Sequence, residues 1–308
     1  MASRSRPRTK RNRSIGVAAA LAGTALLCWG ALSLTQNRSL GQEALESARV
    51  LVAFGPRPPG SPAHRDVERH IAGKLKVAGW TVEEDRFTAD TPVGAVGMNN
   101  ILARRTGRSP RAIILATHYD TKLERSFAFV GANDGSSGTG LLLALAPVLA
   151  KRNYNHSIWL LFLDGEEAFQ QWTATDSLYG SRHFAQKLKS EGTVSQVGAF
   201  LLMDMIGDRD LDIHRESNST PWLTDLVWKV AHRLGHDDHF LNSAINISDD
   251  HIPLLQVGVP AVDLIDFNYG PNNRYWHTAE DTLDKLGAQS LGIVGEVLLE
   301  AVAELDRQ

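Results

Sequence analysis

The chain has a single cysteine, Cys28, among 308 residues, so no internal disulfide can staple it. A chain of this length can bury a core large enough to stand without one. It also lacks an excess of positive charge: the formal net charge is −3, and six of its 32 basic residues (Arg4, Arg6, Arg8, Lys10, Arg11, Arg13) crowd into residues 1–13. Without them the remainder holds 26 basic against 35 acidic residues, which argues against a nucleic-acid surface on the folded part. There is no internal repeat, and no low-complexity tract follows residue 13. The glycine-rich stretch Gly131–Gly138 lacks the Lys-Ser/Thr ending of a P-loop, so it is not that phosphate cradle.

What the chain does have begins with Ile15–Leu34, twenty residues without a charge. At helical rise they match a bilayer core of about 30 Å. The dense basic flank stays cytoplasmic, which predicts a cytoplasmic tail over residues 1–14 and a transmembrane signal anchor over 15–34. A polar linker over 35–41 then leads to a catalytic domain over 42–308 on the far side, periplasmic or extracellular in a bacterium. A cleaved signal peptide is the alternative, but the apolar segment is long and no clear A-x-A site follows. Leu27 before Cys28 is not the small residue a lipoprotein cleavage site needs.

Within the domain, Gln42–Phe54 reads as a helix, and Gly55-Pro56-Arg57-Pro58-Pro59-Gly60-Ser61-Pro62 forces an irregular turn. His64–Gly79 has apolar residues at 67, 71, 75 and 78, the stripe of an amphipathic helix. Then a unit recurs: an apolar strand that ends on polar residues. Ala112–Thr117 runs into His118-Tyr119-Asp120, Ser157–Leu163 into Asp164-Gly165-Glu166-Glu167, and Gly198–Met203 into Asp204. Val259–Ile265 leads, after a loop, to Tyr275-Trp276-His277. Helices are expected between them at Thr139–Lys151, Gly180–Ser190, Pro221–Gly235 and Ala288–Leu305. Strands alternating with helices predict an α/β domain with a mainly parallel, helix-covered sheet. Ligands bind beyond the carboxyl ends of such strands, where these polar residues collect.

The chemistry is most explicit at Glu166-Glu167. Adjacent carboxylates repel unless a cation or a shared proton separates their roles. Candidate metal ligands are His118, Asp134, Glu167, Asp204 and His277, with Glu166 left as a base. Zinc accepts imidazole nitrogen and carboxylate oxygen, and catalytic sites use three protein ligands and one open position. Any one of these residues has a plain alternative as a rim, turn or cap residue; together, at successive strand ends, they point to a metal.

His118-Tyr119-Asp120, Asp134, Glu166-Glu167, Asp204-Met205-Ile206-Gly207 and His277 resemble the M28-type zinc aminopeptidase superfamily. Asp164 to Phe169, Trp172, and Asp176-Ser177-Leu178-Tyr179-Gly180-Ser181-Arg182 are more closely similar to the animal-type glutaminyl-peptide cyclotransferases. Asp249-Asp250-His251-Ile252-Pro253 and Trp276-His277-Thr278 extend that likeness, which covers about residues 43–306. The resemblance implies a three-layer α/β/α sandwich around a mixed, mostly parallel sheet. It implies one zinc held by Asp134, Glu167 and His277, with Glu166 as general base and acid. Asp249, with Asp204 beside it, is expected to hydrogen-bond the reacting groups, and Trp172 and Trp276 to wall the substrate pocket. The implied reaction closes an N-terminal glutamine of a peptide or protein into pyroglutamate and releases ammonia.

The chain departs from the animal enzymes in three places. Its Gly131–Gly138 loop looks more like those of aminopeptidases. Thr117 stands where one member of a cysteine pair would be. Ser248 precedes Asp249 where glutamine is usual. A two-zinc aminopeptidase, with His118 and Asp204 completing a second metal site, therefore stays open as an alternative reaction, as does a non-catalytic binding domain on the same fold.

Overall fold

Apolar runs that can be buried on both faces become the centre of the sheet. The computed structural model describes Met1 and residues 39–308; the rest of the expected tail, the expected anchor at 15–34 and much of the linker lie outside the described residues. Among the described residues, no helix is long and apolar enough to cross a membrane. Eight strands follow in chain order: β1 (Thr81–Thr91), β2 (Gly94–Arg105), β3 (Ala112–His118), β4 (Ser157–Leu163), β5 (Val197–Asp204), β6 (Ile213–Glu216), β7 (Phe240–Ile245) and β8 (Ala261–Ile265). Six of them form one sheet in the order β1-β2-β4-β3-β5-β8, while β6 and β7 pair separately. The β4–β3, β3–β5 and β5–β8 junctions are parallel; β1–β2 and β2–β4 are antiparallel. The sheet is therefore mixed.

Among the described residues, seven α-helices accompany the strands: α1 (residues 39–53), α2 (Pro62–Val77), α3 (Ser136–Ala150), α4 (Tyr179–Ser190), α5 (Pro221–Leu234), α6 (His251–Gln256) and α7 (Ala288–Leu305). Alternation along the strands sorts the layers. Ile113 and Leu115 of β3 face a core built with Leu51, Ile71, Leu141, Val227 and Leu298, from α1, α2, α3, α5 and α7. Ile114 and Ala116 face the opposite core, with Phe184 and Leu188 of α4 and Leu254 of α6. All residues of β3 and β4 are buried, as expected of strands covered by helices on both faces. Each buried side chain of this size contributes about 1.5–3 kcal/mol of transfer free energy.

Several element boundaries shift from expectation for local reasons. α3 starts at Ser136 rather than Thr139, because Ser136, Ser137 and Gly138 already continue the helix from the Gly131–Gly135 turn. β8 starts at Ala261 rather than Val259; Pro260, which precedes it, has no N–H to give to a ladder. The β1–β2 hairpin carried no apolar run to announce it: Thr81–Thr91 is largely polar and its residues lie exposed or half-buried.

The carboxyl ends of the parallel strands are level. His118 pairs with Leu163, Asp204 pairs with Ile265, and Ala116 pairs with Leu202 two residues below the rim. The polar residues that follow each strand are thus delivered to one edge of the sheet.

Candidate active site

His118 and Asp204 close β3 and β5, and their side chains meet: His118 Nε2 lies 3.2 Å from Asp204 Oδ1. The same nitrogen lies 3.1 Å from Asp134 Oδ1. Asp134 reaches inward from a tight turn in which Gly131 and Gly135 hold φ of 51° and 83°. Gly135 has no alternative, because a Cβ there would come within 2.7 Å of the Asp120 carbonyl and 3.1 Å of the His118 ring. The other oxygen of Asp134 points to His277, with Oδ2 at 3.2 Å from Nε2. That same imidazole nitrogen is 3.0 Å from Glu167 Oε1. Asp134 therefore stands between two imidazoles, one on each side.

Glu166 and Glu167 leave β4 through Gly165, whose φ is 65°. Their backbone N–H groups donate to the two oxygens of Asp120, at 3.2 and 3.3 Å, and His118 Nδ1 is 3.4 Å from the same carboxylate. Asp120 thus orients a histidine and both glutamates at once. Its place in His118-Tyr119-Asp120 was the only signal for it. Asp281, for which the local sequence holds none, accepts from the N–H groups of Asn133 and Asp134 at 2.8 and 3.3 Å and from Tyr269 Oη at 2.7 Å.

A cavity of about 290 Å³ opens over these groups, lined by Asp134, Glu166, Asp204, Asp249, Trp172 and Trp276 among others. Trp276 stacks on His277 with ring centres 4.1 Å apart, and Phe267 packs edge-on against Trp276 at 4.9 Å. Asn246 and Ser248 also reach the cavity, as does Phe267 at the start of a loop whose shape could not be read from sequence. Of the residues expected there, Asp134, Glu166, Trp172, Asp204, Asp249, Trp276 and His277 line the cavity, and His118 and Glu167 lie against Asp134 and His277. A more open cleft of about 480 Å³, between Gly60 and the β1–β2 ribbon, contains none of them.

Burial sets the electrostatics. It pushes the Glu166 carboxyl well above the ordinary range, and the neighbouring Glu167, Asp249 and Asp250 charges push the same way. Asp249 is raised strongly too, by burial and then by Asp204 and Asp250. Asp134 moves oppositely: burial is outweighed by His118 and His277, which hold it far below the usual carboxylate range. Burial alone would depress His277, yet Glu167 and Asp134 bring it up to about 10. Five buried carboxylates (Asp134, Glu166, Glu167, Asp204, Asp249) share two imidazoles, a density of negative charge that calls for a cation.

The donor atoms fit one. Asp134, Glu167 and His277 offer atoms all within 4.8 Å of one another, and so do His118, Asp134 and Asp204. Glu167 is buried, with Oε1 3.0 Å from the His277 ring nitrogen and Oε2 3.6 Å from Lys122 Nζ, so its ligand atoms already converge with those of Asp134 and His277. Imidazole nitrogen and carboxylate oxygen are both zinc ligands, and three protein ligands are the usual number in a catalytic site.

Comparison with known proteins agrees with this geometry. Residues 100–302 match peptidase family M28. The glutaminyl-peptide cyclotransferase-like protein of Bos taurus is 34% identical over 277 residues, spanning 80% of this chain and 72% of that protein. Among solved structures, an Acidobacteriales bacterium glutaminyl cyclase shares the fold with a TM-score of 0.83 and 45% identity, over 87% of this chain and 94% of that one. A leucine aminopeptidase precursor from Bacteroides thetaiotaomicron is also similar, with a TM-score of 0.77 and 25% identity over 85% and 96% of the two chains. The chain belongs to peptidase family M28 and, within it, to the glutaminyl-peptide cyclotransferases.

Proposed function

We infer that this chain is a zinc-dependent glutaminyl-peptide cyclotransferase, converting the N-terminal glutamine of a peptide or protein to pyroglutamate with release of ammonia. The observation that carries the reading is the cavity. Its volume of about 290 Å³ is at the small end for ligand sites, suited to one folded residue, and the raised carboxyls of Glu166 and Asp249 face into it.

Family membership implies zinc, and we assign Asp134, Glu167 and His277 to hold one ion. Bound there, zinc supplies Lewis-acid polarisation of a carbonyl oxygen. Glu166 takes a proton from the substrate's α-ammonium group, freeing the amine to attack the γ-carboxamide carbon. The same carboxyl then protonates the departing nitrogen, which leaves as ammonia, and the carboxylate so regenerated takes the second proton from the ring nitrogen to leave the neutral lactam. Burial raises the Glu166 carboxyl above the ordinary carboxylate range, which makes it a better proton acceptor than an exposed glutamate. Asp249, whose carboxyl is pushed up by burial and then by Asp204 beside it, hydrogen-bonds the reacting groups. Trp172 and Trp276 hold the glutamine folded, and that proximity supplies much of the acceleration of an intramolecular ring closure.

A second reading rests on Asp134, whose two oxygens face His118 and His277 separately. A second ion at His118, Asp134 and Asp204 would give the two-metal arrangement of an aminopeptidase. One assay separates the two. The chain is incubated with a peptide that begins with glutamine and with one that begins with leucine, and zinc content is measured alongside. Cyclisation predicts ammonia release from the glutamine peptide only, with one equivalent of zinc. Free amino acids and two equivalents of zinc would sink it in favour of hydrolysis, and inactivity with zinc bound would favour a binding domain.

The basic residues 4–13 and the uncharged segment 15–34 support a further part of the proposal: a single-pass membrane anchor with the catalytic domain outside the cytoplasm. Protease added to intact cells should then digest the domain.

A further inference from the structure

We propose that Arg57 is a positioning residue for the metal site: one buried guanidinium ties together the two ends of the loop that carries Asp134. The proposal rests on the reading of Asp134 as a zinc ligand. Residues 119–135 join β3 to α3 without a helix or strand of their own. A segment of that length spreads over many conformations unless something fixes it.

Arg57 sits wholly buried beneath the loop. Its Nε donates to the Tyr119 carbonyl at 2.7 Å, at the loop's start. Its Nη1 donates to the Val130 carbonyl at 2.6 Å, and its Nη2 to the Gly131 carbonyl at 3.2 Å and to Ser136 Oγ at 2.7 Å, at the loop's end. Ser136 Oγ donates onward to the Gly131 carbonyl at 2.6 Å, closing the turn. The main chain adds a second tie: the Arg57 N–H donates to Thr121 Oγ1 at 2.9 Å, and the Arg57 carbonyl accepts from the Thr121 N–H at 3.3 Å.

None of these partners is a carboxylate, so the guanidinium acts as a clamp on carbonyls and a hydroxyl rather than as one half of an ion pair. Burial pulls the guanidinium down to about 10, and the charges of Asp120, Asp134 and Asp281 act against that pull. A Cβ on Gly135 would lie 3.2 Å from Arg57 Nη2 and 3.1 Å from the His118 ring, so the guanidinium abuts the turn that aims Asp134. Only arginine presents a rigid fork of donors that can reach four acceptors at two ends of one loop; lysine carries a point charge on a flexible stem.

The test is Arg57→Lys in the full chain, read by zinc affinity in competition with a chelator and by the thermal midpoint of the metal-free protein. The expected result is zinc binding weakened about 10- to 100-fold, as when a group that orients a ligand is lost. Leu291→Ala, in the core of α7, serves as the control that lowers the midpoint without touching the loop. Wild-type zinc affinity in Arg57→Lys would overturn the proposal, and so would an equal loss of affinity in Leu291→Ala at a matched midpoint. Should Arg57→Lys fail to fold, Ser136→Ala removes one acceptor and should weaken zinc about fivefold; unchanged affinity there overturns the clamp. Asp134→Asn separates the premise from the proposal. If it keeps zinc, the ligand reading fails and the proposal with it; if it loses zinc while Arg57→Lys does not, the clamp alone fails.

Discussion

Two sites in this molecule are built from the same parts, one histidine and two carboxylates, with donor atoms equally close: Asp134, Glu167 and His277 at the cavity, and His64, Glu68 and Asp164 beneath it. In the deeper set the histidine pairs with both carboxylates, and His64 and Asp164 are wholly buried while Glu68 borders the more open cleft. His64 Nε2 lies 2.7 Å from Asp164 Oδ1 and Nδ1 lies 3.2 Å from Glu68 Oε1, while the ring stacks on Tyr119 with centres 5.0 Å apart. The remaining oxygens are taken as well. Asp164 Oδ2 accepts from the Asn99 N–H at 2.6 Å, and Glu68 Oε2 accepts from Asn99 Nδ2 at 2.9 Å and faces Arg86 at 3.1 Å. Burial alone would lower His64, yet Asp164 and then Glu68 bring it up to about 10, so it stays an imidazolium. The upper set opens Asp134 and His277 to the cavity at the strand ends. Composition and spacing do not separate a metal site from a structural ion cluster; access to the substrate cavity does.

Substitutions can break that contrast. Glu167→Gln should have the largest effect, weakening zinc by more than about 100-fold, beyond what loss of a supporting group costs, and abolishing turnover. Zinc content after dialysis checks it. Glu166→Gln, one residue away, should keep its zinc and lose about 10²- to 10⁴-fold in kcat, the usual worth of a general acid–base group. If kcat stayed near wild type, the base would have to be sought elsewhere.

His64→Asn should do the reverse of Glu167→Gln. Removing one member of a buried ion cluster costs about 3–5 kcal/mol of stability, measurable by urea unfolding, while zinc stoichiometry stays unchanged. The pH dependence sharpens this. A folded pKa of about 10, above the ordinary 6.5, stabilises the wild type fully below pH 6.5 and loses its effect as pH rises through about 10. The stability gap between wild type and His64→Asn should therefore narrow across that window. A gap constant with pH would mean that His64 is not held charged.

Much of this was legible in the chain itself. Ser157–Leu163 and Ala288–Leu305 have the boundaries expected of them, because continuous apolarity and helical periodicity are local signals. Asp134, Glu166, Glu167, Asp204 and His277 could be gathered into one site because a parallel sheet delivers its strand ends to one edge. The β1–β2 hairpin, the β6–β7 pair and short α6 were not legible: their residues are polar, brief or stabilised by partners elsewhere in the chain.

By itself, then, the amino-acid order determined the alternating α/β architecture and the two adjacent carboxylates at the end of β4, since both follow from neighbours in sequence. Tertiary structure alone decided which His–carboxylate set opens onto the strand-end cavity, and that Asp281 and Arg57 stand behind the site. Arg57 meets Tyr119, Val130 and Ser136 across 62 to 79 residues of chain. No local pattern encodes such a contact, because its partners are backbone carbonyls and a hydroxyl that only the fold brings together.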